Sequence, residues 1–300
     1  METRKQPRAV NCISWLRQRR NNAAGALTSG CSSCDRVAHL SFNASPMPRM
    51  AITILTTVAV AYLLLCAGLF ALQRYLIYLP QPRLLGTDAS MVMLTPSGER
   101  VQVSVRSREG PNALVYFGGN AEDVSQSLRS LSTTFPDHAL FLLHYRGFGE
   151  SSGTPSEEAL FTDGLALFDQ VRASHRHVAI VGSSLGSGVA VYVASLRPAA
   201  RLVLVTPYDS FQDVVAGKLP YVPVRWLLRD KFESGRYAPK VTAPTLILMA
   251  EHDEMIPRAS TERFHSRFRS GLASLHVISG TNHNSIYDSP QYIPLLKGLP

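Results

Sequence analysis

The sequence predicts an α/β domain with a mostly parallel central sheet and helices on both faces, preceded by one transmembrane helix. Of the 300 residues, 45% are hydrophobic and 17% are charged, which provides for a sizeable core and excludes a disordered chain. An uncharged apolar run of 22 residues covers positions 51–72. From residue 75 onward, short β-rich runs alternate with helical stretches, as in domains with helices on both faces of a parallel sheet.

Residues 1–50 form a basic tail that we expect to be disordered. They hold eight Lys or Arg residues and two acidic ones, whereas residues 75–300 hold 21 basic and 20 acidic residues. The formal net charge of +8 therefore belongs to the tail, and we expect no nucleic-acid partner, because that would need a basic face on the folded domain. Cys31 and Cys34 have the spacing of half a zinc site, but only His39 lies near them, so we interpret them as part of the tail.

Residues 51–72 are predicted to cross a membrane once. About 20 apolar residues span the hydrocarbon core of a bilayer, and a buried core helix is rarely apolar on every face. A cleaved signal peptide is the main alternative, although no A-x-A cleavage site follows the run, and lipidation at Cys66 is a weaker one. Basic residues are dense before the run and sparse after it, which predicts that the body lies on the extracytoplasmic side.

Two further expectations concern the ends of this run. Tyr75 and Tyr78 are expected to be aromatic anchors at the membrane interface. Met47 and Met50 directly precede the run and are alternative starts of the natural chain. If Met47 is the start, Arg49 is the only basic residue left before the run, and the argument for orientation weakens; a start at Met50 leaves none.

The body, residues 75–300, is predicted to alternate between strands and helices. Most strand candidates are continuous apolar runs, which suit strands buried on both faces of a parallel sheet. Residues 207–243 are rich in Pro and aromatic residues and are predicted to form a small cap over the carboxyl edge of the sheet. The predicted strands are 100–106, 113–117, 139–144, 178–182, 201–206, 245–250 and 274–278, and the predicted helices are 121–134, 156–174, 185–196, 259–270 and a short one near the C-terminus.

The strongest motif is Gly182-Ser183-Ser184-Leu185-Gly186, which fits G-x-S-x-G. It directly follows a predicted strand and opens a predicted helix, the context in which this motif marks a nucleophile. A sharp turn there pushes the serine hydroxyl out above the sheet, and the two glycines avoid collisions across the turn. We therefore predict Ser184 as the nucleophile and the backbone N–H of Leu185 as one donor to an oxyanion.

A serine hydroxyl needs a general base, and two later loops supply partners for Ser184. His283 follows the last predicted strand, and Asp253 follows the one before it. Because both loops leave the carboxyl ends of strands, the three side chains are predicted to converge, with His283 as the base and Asp253 holding its tautomer. Poorer candidates for the base are His252, His265 and His276, and alternatives for the acid are Glu251, Glu254 and Asp209.

The second oxyanion donor is expected in the loop after strand 113–117, which reads Gly118-Gly119-Asn120. Paired glycines let the backbone approach a substrate closely. The predicted donor is the N–H of Asn120 or, less favoured, that of Gly119. An ordinary glycine turn is the alternative interpretation.

These motifs, in this order over residues 72–285, resemble membrane-anchored α/β-hydrolase proteins that are often labelled serine-aminopeptidase-like. The most discriminating stretch is residues 145–155, YRGFGESSGTP. The resemblance implies an α/β-hydrolase fold, the triad Ser184, Asp253 and His283, and an oxyanion hole lined by Leu185 and Asn120. The chain departs from the family pattern at Gly118, at His144 and at Glu122-Asp123, where the family usually has His, Asp and Gly-Asn.

We therefore expect a hydrolase without metal or cofactor that cleaves carboxylic esters or thioesters with an apolar acyl part through an acyl-enzyme intermediate. The expected partners are an acyl substrate, small or lipid-like, and the membrane. A serine peptidase of aminopeptidase type is the alternative within the enzymes, because related folds cleave several kinds of bond with one triad. A catalytically silent membrane scaffold is the alternative from another class. Position alone suggests that the acyl pocket contains Phe148, Leu185, Tyr208 and Trp226.

Overall fold

The computed structural model describes residues 48–84, 90–95 and 97–297. Nearly all of the predicted basic tail, including Met47 and the Cys31 and Cys34 pair, lies outside these residues.

One sheet of eight strands forms the centre of the body. Its strands are β1 (Ser90–Leu94), β2 (Arg100–Arg106), β3 (Asn112–Phe117), β4 (Ala139–Leu143), β5 (His177–Ser183), β6 (Arg201–Val205), β7 (Thr245–Ala250) and β8 (Ala273–Ile278). They lie in the order β1-β2-β4-β3-β5-β6-β7-β8. β2 pairs antiparallel with β1 and β4, and all other neighbours are parallel, which confirms the predicted mostly parallel sheet.

The seven predicted strands are all present, within one residue at either end. The sequence prediction missed β1, a five-residue edge strand. Its run SMVML is short and contains one β-branched residue, so nothing local distinguishes it from a loop. Its pairing with β2 comes from tertiary structure.

Helices cover both faces of the sheet, as predicted. α2 (Ser127–Thr134) and α8 (Tyr292–Lys297) contribute to the hydrophobic cluster on one face. α3 (Glu157–Ser174), α4 (Leu185–Leu196) and α7 (Arg258–Ser266) contribute to the cluster on the other. The predicted helix 121–134 is shorter than expected, because Asp123 accepts the Ser125 N–H at 3.1 Å and starts a 3₁₀ turn before α2.

The cap segment, defined as residues 207–243, contains α5 (Phe211–Lys218), α6 (Val224–Leu227) and two 3₁₀ turns. The backbone N–H of Lys231 donates to Glu157 Oε2 at 2.6 Å, which ties the segment to the start of α3. Its Phe232 is fully buried and stands edge-on to Phe161 of α3, with ring centroids 5.6 Å apart. Apolar packing and a charge-assisted hydrogen bond therefore hold the cap segment against the sheet domain.

The N-terminal helix α1 (Arg49–Ile77) contains the predicted spanning run. A continuous stretch of 18 residues in α1 has a mean hydropathy of 2.3, and 6% of that stretch is buried, so α1 is a candidate transmembrane helix. Tyr75 is 79% exposed, in keeping with an interfacial anchor. The same expectation for Tyr78 is wrong: its side chain is 1% exposed and belongs to the hydrophobic core.

His144 is buried directly after β4, with Nε2 2.8 Å from Ser104 Oγ. Burial lowers the pKa of its imidazole to about 4, against about 6.5 in an unfolded chain. Between these values the unfolded chain binds a proton that the folded chain does not. We therefore expect the free energy of unfolding to fall by up to about 3 kcal/mol as the pH drops from 6.5 to 4, with no further loss from this residue below 4.

Urea unfolding of the detergent-solubilised protein at a series of pH values measures this dependence. The variant His144→Gln keeps a hydrogen-bonding side chain but does not titrate, so its stability should change less over the same pH range. Equal slopes for wild type and variant would exclude His144 as the source of the loss.

Candidate active site

Ser184 lies in the turn between β5 and α4. Its backbone has φ 47° and ψ −114°, a strained conformation that residues with a side chain rarely adopt. The Ser184 N–H donates to the carbonyl of Val205 at 2.9 Å, which holds the turn against β6. The turn therefore presents the serine side chain at the carboxyl edge of the sheet.

The two glycines of the motif are sterically required. A Cβ added to Gly182 would lie 2.4 Å from the Cβ of Ala190, and one added to Gly186 would lie 2.1 Å from the carbonyl oxygen of Phe117. Both distances are shorter than any non-bonded contact allows, so β5, α4 and the end of β3 can approach this closely only with glycine at both positions.

We expect Gly186→Ala to lower the free energy of unfolding by at least about 3 kcal/mol, because the new methyl group would force the backbone of β3 and α4 apart. Gly217→Ala in α5 is the matched control: its Cβ would meet no atom within 4 Å, and alanine favours a helix by up to about 1 kcal/mol. Thermal unfolding of both variants checks this. Equal melting temperatures would contradict the close approach at Gly186.

The side chains of Ser184, His283 and Asp253 form a continuous chain of hydrogen bonds. His283 Nε2 lies 3.0 Å from Ser184 Oγ, and His283 Nδ1 lies 2.9 Å from each carboxylate oxygen of Asp253. Asp253 Oδ1 also accepts the N–H groups of Met255 and Ile256 at 2.9 and 2.8 Å, which fix the carboxylate. In this arrangement an imidazole can take the hydroxyl proton while the carboxylate stabilises the resulting charge.

The rival candidates have other partners. His265 Nε2 lies 3.0 Å from the carbonyl oxygen of Ala273, and Asp209 lies 3.4 Å from the guanidinium of Arg267. Glu254 contacts the backbone N–H of His283 at 3.3 Å but not its ring. The remaining rivals are Glu251, which accepts the N–H of Gly280, and the exposed His252 and His276.

The two candidates for the second oxyanion donor differ in their surroundings. The Gly119 N–H donates to Glu122 Oε2 at 2.6 Å, so it is already engaged. Asn120 lines the cavity beside Ser184, and its side-chain amide binds the end of α1 through the Ile77 carbonyl and, at 3.1 Å, the Leu79 N–H. Leu185, whose N–H is the first predicted donor, begins α4 and lines the same cavity.

The Glu122 carboxylate stabilises the loop after β3 by hydrogen bonds, a role that the sequence analysis did not predict. Besides the Gly119 N–H, it accepts the hydroxyls of Tyr116 and Ser127, each at 2.8 Å. Burial raises the pKa of the Glu122 carboxyl, and these hydrogen bonds act in the opposite direction. On the other side of the loop, the Tyr145 hydroxyl donates to the Gly118 carbonyl at 2.8 Å. No spacing rule links these residues, so only the departure from the family pattern at Glu122 drew attention to it.

A cavity of about 380 Å³ opens beside Ser184 and His283 and is lined mainly by apolar side chains. Its walls come from the last turns of α1, from α5 and α6, and from the loop after β7. Leu185 and Tyr208 line it, as expected from their positions. Phe148 and Trp226 do not: Phe148 is buried beside the Tyr145 ring, and Trp226 is 89% exposed.

Three relatives are similar to this chain in sequence. An uncharacterized protein of Mycobacterium tuberculosis H37Rv is 30% identical over 230 residues, which are 71% of this chain and 80% of that protein. The alpha/beta hydrolase domain-containing protein aho-3 of Caenorhabditis elegans is 29% identical over 193 residues, 62% of this chain and 56% of that protein. The lysophosphatidylserine lipase ABHD12 of Macaca fascicularis is 29% identical over 217 residues, 61% of this chain and 54% of that protein.

No protein-family model matches the chain. Among solved structures, the esterase Pf2001 of Pyrococcus furiosus superposes with a TM-score of 0.62 over 74% of this chain and 96% of that one, at 13% sequence identity. This likeness shows a shared fold.

Proposed function

Because the chain belongs to the α/β-hydrolase superfamily, we propose that it is a membrane-anchored serine hydrolase that cleaves carboxylic esters or thioesters. The observation that carries this proposal is the hydrogen-bonded series Ser184, His283 and Asp253 at the edge of an apolar cavity. Within the superfamily, we assign the chain to the membrane-anchored, serine-aminopeptidase-like proteins on its motifs.

The reaction proceeds in two halves. Ser184 Oγ attacks the carbonyl carbon and gives its proton to His283 Nε2, while the N–H groups of Leu185 and Asn120 stabilise the oxyanion. The tetrahedral intermediate then collapses and expels the alcohol or thiol, which takes the proton from His283. In the second half, His283 deprotonates a water molecule that attacks the acyl-enzyme, and the carboxylic acid leaves as Ser184 regains its proton.

The cavity supports an apolar acyl group as the part of the substrate next to Ser184. Two of its walls are helix faces of leucine and valine, including Leu69, Val214 and Val215. The relative named lysophosphatidylserine lipase supports a lipid ester carrying one acyl chain. An aminopeptidase would need an anionic group to bind the free α-amino group of its substrate. Among the described residues that line the cavity there is no Asp or Glu, and the basic Lys218 is present instead.

The anchor in this proposal is α1, which crosses the membrane once. The excess of basic residues before position 51 supports placing the catalytic body on the extracytoplasmic side. The hydrolase would then act on substrates in or near the extracytoplasmic leaflet of the membrane.

Hydrolysis of p-nitrophenyl esters from acetyl to palmitoyl, compared with leucine p-nitroanilide, tests the proposal on the purified full-length chain. We expect kcat/KM to rise with acyl length, because each buried CH₂ adds about 0.8 kcal/mol, and we expect no cleavage of the anilide. Ser184→Ala serves as the background control. Cleavage of the anilide in preference to every ester would favour the peptidase, and no activity on either substrate would favour the scaffold.

A further inference from the structure

The cap segment runs alongside α1 and is fixed to its last turns by polar contacts. Gln73 donates to the Leu227 carbonyl at 3.2 Å and accepts the Arg229 N–H at 2.8 Å. Arg74 forms a two-pronged ion pair with Asp230 at 3.0 and 3.3 Å. Gln73 is 7% exposed, so its two hydrogen bonds are shielded from water, whereas the Arg74 side chain in the ion pair is partly exposed.

The contact continues far back along the helix. The Arg229 guanidinium stacks over the Phe70 ring at 4.2 Å from its centroid. The Tyr62 hydroxyl donates to the Tyr221 carbonyl at 2.8 Å. Tyr62 lies ten residues before Leu72, the end of the apolar run, which corresponds to about 15 Å of helix or half the hydrocarbon thickness of a bilayer. A membrane that surrounds this part of α1 must therefore also meet the cap segment.

The cap segment exposes large apolar and aromatic side chains in this stretch, interspersed with basic ones. Leu219, Tyr221 and Trp226 are 42%, 88% and 89% exposed, and we call them the cap's membrane face. Trp is enriched at the polar boundary of a bilayer, and Trp226 directly precedes Leu227, whose carbonyl bonds to Gln73 just past the end of the apolar run. The nearby Arg225 pairs with Asp213 at 2.9 Å and is long enough to extend its charged end toward the lipid headgroups.

We propose that the cap's membrane face is embedded in the leaflet that surrounds the C-terminal half of α1. The occupant of this surface is the phospholipid bilayer, because one of its residues, Tyr221, is hydrogen-bonded through its carbonyl to a candidate transmembrane helix. This inference rests on the anchoring part of the proposed function.

The docked cap gives the cavity an entrance from lipid. Leu76 of α1 and Leu219 of the cap segment line the cavity and are also 61% and 42% exposed at its rim. With the membrane face embedded, this rim opens into the leaflet, so a single-chain lipid ester reaches Ser184 without passing through water. The substrate class is therefore a membrane-resident acyl lipid whose chain enters sideways between α1 and the cap segment.

Tryptophan fluorescence tests the docking directly, because the chain contains two tryptophans, Trp15 and Trp226. The full-length variant Trp15→Phe leaves Trp226 as the sole reporter. In phosphatidylcholine vesicles we expect acyl-chain-brominated phosphatidylcholine to remove most of its fluorescence and aqueous iodide to remove little. Strong quenching by iodide with little by bromolipid would overturn the proposal. Protection from both quenchers would also overturn it, because protein, such as a second copy, would then cover Trp226.

Two measurements on the same vesicles separate this inference from the proposed function. Fluorophosphonate labelling of Ser184 reports the hydrolase, and resistance to alkaline carbonate extraction reports the anchor. A labelled, carbonate-resistant protein whose Trp226 is quenched by iodide alone would refute the docked cap and leave the hydrolase standing. An unlabelled protein with Trp226 quenched by bromolipid would refute the hydrolase instead.

Discussion

Ser184→Ala should lower kcat for ester hydrolysis by about 10⁴- to 10⁶-fold, with little change in KM. The methyl group cannot attack the carbonyl, and water replaces a nucleophile that is held 3.0 Å from its base. The substrate still occupies the apolar cavity, whose walls do not change, so binding is retained. Steady-state hydrolysis of a p-nitrophenyl ester, with the fold checked by circular dichroism, measures both constants.

Ser183→Ala is the matched control, one residue earlier in the same turn. The Ser183 hydroxyl bonds to the Tyr287 hydroxyl and has no hydrogen bond with His283. Its loss should change kcat less than about tenfold, which corresponds to about one hydrogen bond. A larger loss in Ser183→Ala than in Ser184→Ala would exclude Ser184 as the nucleophile.

Asp253→Asn should lower kcat by about 10⁴-fold. The carboxylate accepts the Nδ1–H of His283 and so leaves Nε2 free to take the proton of Ser184. An amide in its place can instead donate to Nδ1 and hold the imidazole in the tautomer that cannot act as a base. The protein should remain folded, because Asn and Asp have nearly the same shape and the amide oxygen can still accept the Met255 and Ile256 N–H groups.

Glu254→Gln controls for the loss of a carboxylate next to Asp253. Glu254 accepts the backbone N–H of His283 at 3.3 Å, a bond that the amide oxygen of glutamine can also accept. We expect this variant to retain kcat within about tenfold of wild type. If Glu254→Gln were as inactive as Asp253→Asn is expected to be, the assignment of Asp253 as the acid of the triad would be contradicted in favour of Glu254.

The fold was predictable because its signals are local. Continuous apolar runs mark strands buried on both faces, such as β7, and the G-x-S-x-G motif lies between one of these strands and a helix. These features predict the α/β-hydrolase fold, which the structure and the comparisons confirm. The chain order serine, acid, histidine also led to Ser184, Asp253 and His283, which the structure brings together.

The features that the sequence missed depend on tertiary contacts. The packing of α1 against the cap segment forms one wall of the cavity, so Leu69 and Gln73 were not expected there and Trp226 was wrongly expected. Tyr78 follows an apolar run and resembles an interfacial anchor, but the chain turns it into the core. Glu122 hydrogen-bonds to residues before and after it along the chain, and only the folded loop makes these bonds possible.

Labelling with a fluorophosphonate probe tests the central claim most directly, because the probe reacts only with a serine that a base has activated. The purified full-length protein would be labelled, digested and analysed by mass spectrometry to locate the modified residue. We predict one modified residue, Ser184, and no labelling of Ser184→Ala or His283→Ala. A well-folded wild type that stays unlabelled, or a label on another serine that persists in Ser184→Ala, would contradict the assignment of Ser184 as an activated nucleophile.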